Sequence, residues 1–280
     1  MGNYVDTNGI RLHYLERPGD GPTILLAPGL AAGAYFYEAL LERLAPRLHV
    51  IAFDLRGRGA SDRPDTGYTM TDHAADMIGA MNALGLERIV FGGHSFGGLL
   101  TYVMAAEYPD RIERGVVIDA PAEVDPTVME QIRPTLDRLE TTFPSWEHYI
   151  EKVKGMPDYA DWEWDPALEV FYRSDLEELP DGGVRSVCRP EHIRQAMAGT
   201  LEVDWDATVR QIEQPILFLR ATDPFGPPGY PPIVPEDKAK LTMDRLQDGR
   251  YAEFPGNHIT FLFGEGARLV ADEIVEFVTE

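Results

Sequence analysis

The stretch Phe91-Gly92-Gly93-His94-Ser95-Phe96-Gly97-Gly98 contains the pattern G-x-S-x-G at positions 93–97. Such a pattern places a serine on a sharp strand-to-helix turn, with its hydroxyl exposed at the end of a sheet. The turn needs small residues on both sides, which Gly93 and Gly97 supply. A helix starting at Phe96 would aim the positive end of its dipole at the same point. The chemistry on offer is nucleophilic attack by Ser95, and a serine hydroxyl needs a base to become a useful nucleophile. Seven histidines, at 13, 49, 73, 94, 148, 192 and 258, compete for that role. His94 adjoins the serine, but neighbours on a turn point apart, which favours a structural part for it. His258 follows the last strand in the loop Phe254-Pro255-Gly256-Asn257-His258. Two carboxylates, Asp119 and Asp223, end buried strands and could orient a base.

These groups must be held by elements that the hydrophobic pattern predicts. Residues 3–16 alternate and contain Asn8-Gly9, a hairpin signal. The apolar runs at 23–28 and 49–55 read as buried strands, the first covered on both faces, and 88–93, 115–120, 215–221 and 250–254 read as further strands. Between them lie helices. Leu40, Leu41 and Leu44 form one stripe, Met77, Ile78, Met81 and Leu84 another, and 99–109 is a helix ended by Pro109. A last helix carries Ala267, Val270, Ile274 and Phe277. This alternation predicts an α/β fold with a mostly parallel sheet covered on both sides. The rhythm breaks at 123–206, where the text reads as helical, strandless and rich in tryptophan (146, 162, 164, 205). We expect a core of 1–122 and 207–280 with a helical cap, 123–206, inserted in it. The cap's aromatic residues could line a pocket or simply pack.

With the strands placed, the chain resembles the α/β-hydrolase-fold serine hydrolases along nearly its whole length. The resemblance is carried by Pro28-Gly29-Leu30, by Asp54-Leu55-Arg56-Gly57-Arg58-Gly59-Ala60-Ser61, by the Gly93–Gly98 turn, and by Gly256-Asn257-His258. It implies Ser95 as nucleophile, His258 as base and Asp223, at the family's usual acid position, as the orienting carboxylate. Asp119 occupies a position that some members of the fold use instead. The resemblance also implies that the oxyanion formed in acyl transfer is held by the backbone N–H groups of Phe96 and Leu30. The family often has His-Gly where this chain has Pro28-Gly29. Because the donor is a main-chain N–H, the hole does not require the histidine side chain. Arg56 and Arg58 belong to a segment that is a structural turn in this family, and an anion site there is the less favoured reading.

The chain has 280 residues, with 44% hydrophobic and 26% charged residues and a formal net charge of −22. Only four of its 25 basic residues are lysines, and the cap holds 20 acidic against 8 basic residues. Such a surface disfavours nucleic acid and anionic membranes. One cysteine, Cys188, leaves no disulfide and no cysteine-based metal framework, and no other metal site or cofactor is expected. With no basic-then-apolar start and no span-length apolar run, a cytoplasmic enzyme is expected. The expected activity is hydrolysis of carboxylic esters through an acyl-enzyme, and the acidic cap points to a neutral ester or lactone as substrate. A C–C bond hydrolase, a lactonase, a perhydrolase and a slow-turnover ligand receptor would use the same residues.

Overall fold

Apolar runs without polar alternation, such as Thr23–Ala27 and Ile89–Phe91, need cover on both faces. In the computed structural model, which describes residues 2–123, 128–160 and 162–280, these runs lie at the centre of an eight-stranded sheet. The strands are β1 (Asn3–Thr7), β2 (Ile10–Arg17), β3 (Thr23–Ala27), β4 (His49–Phe53), β5 (Ile89–His94), β6 (Ile112–Ile118), β7 (Thr142–Phe143), β8 (Leu176–Glu178), β9 (Val184–Ser186), β10 (Ile216–Ala221) and β11 (Gly249–Phe254). The large sheet has the order β1-β2-β4-β3-β5-β6-β10-β11. β1 and β2 form the hairpin at Asn8-Gly9, whose φ values of 49° and 78° suit asparagine and glycine. β2 runs antiparallel to β4, and the remaining neighbours are parallel.

The helices are α1 (Glu38–Leu44), α2 (Met70–Ala83), α3 (Phe96–Glu107), α4 (Val128–Gln131), α5 (Arg133–Leu139), α6 (Trp146–Lys154), α7 (Pro166–Ser174), α8 (Pro190–Thr200), α9 (Trp205–Arg210), α10 (Glu236–Arg245) and α11 (Gly264–Thr279). The period of two along each central strand divides the core between the two faces. Phe91, Val117, Ile216 and Phe218 pack with Met77 and Met81 of α2 and Leu100 and Val103 of α3. Val90, Val116, Leu217 and Leu219 pack on the other face with Leu40, Leu41 and Leu44 of α1 and Ile274 of α11. α2 begins with a reciprocal cap, in which the Asp72 N–H donates to the Thr69 hydroxyl and the Thr69 N–H donates to the Asp72 carboxylate. The chain moves to opposite sides of β3, toward β4 and toward β5. The carboxyl ends at this reversal are where ligands bind in open α/β sheets.

The insertion lies between β6 and β10. It is mainly helical, but it is not strandless as the sequence suggested: β7, β9 and β8 form a small antiparallel sheet. Strands of two or three residues are too short to show alternation, so only the pairing reveals them. α9 crosses the expected boundary at 206 and packs on α3. Among the described residues no helix is long and apolar enough to cross a membrane.

Candidate active site

Ser95 sits between the end of β5 and the start of α3 with φ 53° and ψ −114°, a conformation that non-glycine residues rarely adopt. The surroundings enforce it. The Ser95 N–H donates to the Ile118 carbonyl at 2.9 Å, and the Ser95 carbonyl accepts the Leu99 N–H at 3.0 Å. A Cβ on Gly97 would lie 1.9 Å from the Ala27 carbonyl oxygen, and one on Gly93 would lie 2.2 Å from that of Gly97. The two glycines of the motif are therefore required by close backbone approach. The serine side chain makes no capping bond to its own helix and faces a cavity of about 940 Å³.

His258 lies on the same cavity, at the end of the loop that follows β11. Its Nδ1–H donates to Oδ2 of Asp119 at 2.6 Å, and both side chains are almost fully buried. That bond fixes the neutral ring as the tautomer with a free Nε2 lone pair, the form able to take a proton. Asp119 directly follows β6, with φ 51°, and its Oδ1 accepts the Ala221 N–H at 3.0 Å. Both carboxylate oxygens are thus committed in a buried position, which holds the carboxylate in one orientation. The loop itself is tied down by Asn257, whose Oδ1 accepts the N–H groups of Ile259 and Thr260 and whose Nδ2 donates to the Asp158 carbonyl of the cap at 2.6 Å.

The sequence favoured Asp223 as the partner of His258, and the structure corrects this. Asp223 is exposed, two residues beyond the end of β10. Its Oδ2 accepts the Gly256 N–H at 3.0 Å and its Oδ1 the Thr222 hydroxyl at 3.2 Å. It braces the loop that carries the histidine but does not reach the ring. Both aspartates end parallel strands and both precede His258 in the chain, so strand order could not separate them. What separates them is the left-handed backbone at Asp119, a turn that the sequence Ile118-Asp119-Ala120 does not announce.

His94 is fully buried, and burial holds its ring well below the usual histidine pKa. Its Nε2–H donates to the carbonyl of His258 at 2.8 Å, its backbone N–H donates to the Tyr37 hydroxyl at 2.9 Å, and the Tyr37 hydroxyl donates to the Ala27 carbonyl at 2.7 Å. The structural role expected for His94 is therefore to join three strand ends.

Leu30 and Phe96 both border the cavity beside Ser95. Among the described residues neither backbone N–H has a hydrogen-bond acceptor. The loop bearing Leu30 is held by Arg58, whose Nε donates to the Leu30 carbonyl at 2.9 Å and whose Nη1 donates to the Arg56 carbonyl at 2.7 Å. Arg58 is completely buried, which lowers its pKa to about 10. Arg56 pairs with Asp76 through two bonds of 2.6 Å. The arginine-glycine segment is structural, as the sequence suggested, and it braces the loop that lacks the histidine of Pro28-Gly29's counterpart. This link was not visible in the sequence.

The cap covers the cavity with Ile132, Leu136, Met156, Phe171 and Met197, among others. Of the four tryptophans only Trp205 borders it. Trp146, Trp162 and Trp164 pack against the core between cap and sheet. Among the described residues no cluster of three or more histidine, cysteine, aspartate or glutamate side chains could hold a metal ion.

Residues 22–265 match the family model for the alpha/beta hydrolase fold. The chain is 31% identical over 219 residues to the 2-(acetamidomethylene)succinate hydrolase of Mesorhizobium japonicum, covering 77% of this chain and 76% of that protein. It superposes on a crystal structure of E-2-(acetamidomethylene)succinate hydrolase with a TM-score of 0.83 and 25% identity, over 100% of this chain and 99% of that one. The enol-lactonase of Burkholderia xenovorans LB400 matches with a TM-score of 0.77 at 23% identity, over 99% of this chain and all of the other, a likeness of fold.

Proposed function

Since the chain belongs to the α/β-hydrolase family, we propose that it is a serine hydrolase that cleaves a carboxylic ester or lactone through an acyl-enzyme on Ser95. In this reading His258 Nε2 takes the serine proton as Oγ attacks the carbonyl carbon, and the negative charge moves to the carbonyl oxygen. The N–H groups of Leu30 and Phe96 receive that oxygen, with the start of α3 behind them. Asp119 replaces Asp223 as the orienting acid and stabilises the imidazolium that forms. His258 then returns the proton to the leaving alkoxide, and a water repeats the sequence on the acyl-enzyme.

The observation that carries the reading is the buried 2.6 Å bond from His258 to Asp119 beside a serine in a left-handed turn. A hydrogen-bonded base of this kind on a shared cavity serves proton transfer. The Mesorhizobium relative is a hydrolase, so the likeness supports hydrolysis as the reaction class. The test is labelling by a fluorophosphonate together with turnover of a p-nitrophenyl ester. We expect the label on the peptide containing Ser95, and Ser95→Ala to lose both labelling and nearly all turnover while keeping its fold. Turnover that survives Ser95→Ala would overturn the proposal. One equivalent of p-nitrophenol followed by silence would assign the chain to ligand reception instead.

A further inference from the structure

Three arginines border the cavity: Arg138, Arg194 and Arg245. Two of them are neutralised within the protein. Arg194 is paired with Glu140, and Arg245 is held by Asp206 at 2.7 Å and Glu123 at 3.2 Å. Arg138, in the last turn of α5 on the cap, is hydrogen-bonded to the Tyr172 side chain but has no carboxylate within ion-pair distance among the described residues. Its guanidinium lies over the rings of Tyr172 and Tyr149, at 5.1 and 5.8 Å, and its Nη1 is 3.8 Å from the Met156 sulfur. The nearby carboxyls feel its charge without pairing with it: Asp158 spends Oδ1 on the Gly226 N–H at 2.7 Å, and burial, outweighing the attraction of Arg138, pushes both Asp158 and Asp175 toward their neutral forms.

A guanidinium is always charged in a protein, and leaving it unpaired in a partly buried apolar site is costly. Ring faces offset part of that cost, and they hold the fork in place without occupying all its donors. In a chain of net charge −22, carboxylates to neutralise it are abundant, and yet this arginine faces the cavity without one. Tyr159 and Tyr172, hydrogen-bonded to each other through their hydroxyls, border the cavity beside it.

Building on the serine-hydrolase reading, we infer that the substrate carries a carboxylate remote from its scissile carbonyl and that Arg138 receives it. One guanidinium balances one negative charge and matches a carboxylate with two parallel bonds. A phosphate dianion would leave surplus charge among apolar walls. The acidic exterior, from which a wholly neutral substrate was expected, governs approach to the surface, whereas inside the cavity Arg138 offers one local positive charge.

The test compares mono-p-nitrophenyl esters of dicarboxylic acids of four to eight carbons with their methyl-capped counterparts. At the best chain length the acid is expected to exceed the capped ester in kcat/KM by at least about tenfold. Arg138→Gln should lower that ratio by about 10- to 100-fold, the range for a hydrogen bond to a charged group, mainly through KM, and Arg138→Lys should restore part of it. A structural role alone would lower both esters together and leave the ratio unmoved, which would overturn the inference, as would the absence of any acid preference in the wild type. Calorimetric binding of glutarate and adipate to Ser95→Ala, with and without Arg138→Gln, separates the two claims. Binding lost only with Arg138 supports the carboxylate site even if ester turnover is absent. Ester turnover without arginine-dependent binding leaves the serine hydrolase standing and removes the site.

Discussion

At the scale of single residues, the sharpest contrast is between two aspartates that occupy comparable strand ends. Asp119 gives one oxygen to the ring of His258 and the other to the Ala221 N–H. Asp223 gives its oxygens to Gly256 and Thr222. Asparagine tolerates a left-handed backbone, so Asp119→Asn keeps the turn while removing the charge and turning an amide toward the ring. It should lower kcat for a p-nitrophenyl ester by about 10²- to 10⁴-fold, as loss of the orienting acid does elsewhere. Asp223→Asn should cost about tenfold or less, because only a loop brace is weakened. Steady-state kinetics of the two variants checks the ranking, and the opposite order would return the acid to β10.

At the scale of elements, the unit that matters is β5, its turn and α3. A methyl group on Gly97 would drive the Ala27 carbonyl out of the strand end that leads into Pro28-Gly29-Leu30. Gly97→Ala should therefore cost stability of about 1–3 kcal/mol or more, read as a lower urea midpoint, and should reduce ester turnover through the displaced Leu30 loop. Much of this unit was legible in the sequence. The apolar run at 88–93, the flanking glycines and the helical text after Phe96 are local signals, and each fixes a local conformation. The hairpin at Asn8-Gly9 and the buried strands of the parallel sheet were legible for the same reason. What was not legible depends on distant contacts. The short strands of the cap exist only through their pairing, α10 carries a weak apolar stripe, and the choice of Asp119 rests on a backbone turn. Likewise, Trp146 and Trp164 read equally well as pocket walls or packing until their neighbours were known.

At the scale of the whole molecule, two buried uncharged histidines shape the response to acid. His73 and His94 are held well below the ordinary histidine pKa, chiefly by burial and, for His73, also by Arg58 and Arg56. Their pKa is lower in the folded chain than in the unfolded one, so below about pH 6.5 the unfolded chain binds the extra protons and stability falls with pH. Each such histidine contributes a slope of about 1.4 kcal/mol per pH unit until its folded pKa is reached. Buried Asp175, whose carboxyl is raised well above its ordinary range mainly by burial, acts with the opposite sign, lowering stability as pH rises from about 3.9 until its folded pKa is reached. Among the described residues neither ring nitrogen of His73 has a hydrogen-bond partner, so an apolar replacement loses no bond there. Urea unfolding of His73→Leu between pH 7.5 and 5 should match the wild type's slope above about pH 6.5 and, below it, show a slope shallower by an amount approaching about 1.4 kcal/mol per pH unit. Parallel slopes would mean that the ring is protonated in the folded chain.

His94 has one more consequence. Its backbone adjoins the proposed nucleophile, and its side chain grips the carbonyl of the proposed base, whose loop is in turn fastened to the cap through Asn257 and Asp158. The cap is therefore connected through hydrogen bonds to His258 and, by way of His94, to the residue beside Ser95. In mechanical terms the two side chains share a mount, the His94 link between the β5 turn and the loop after β11.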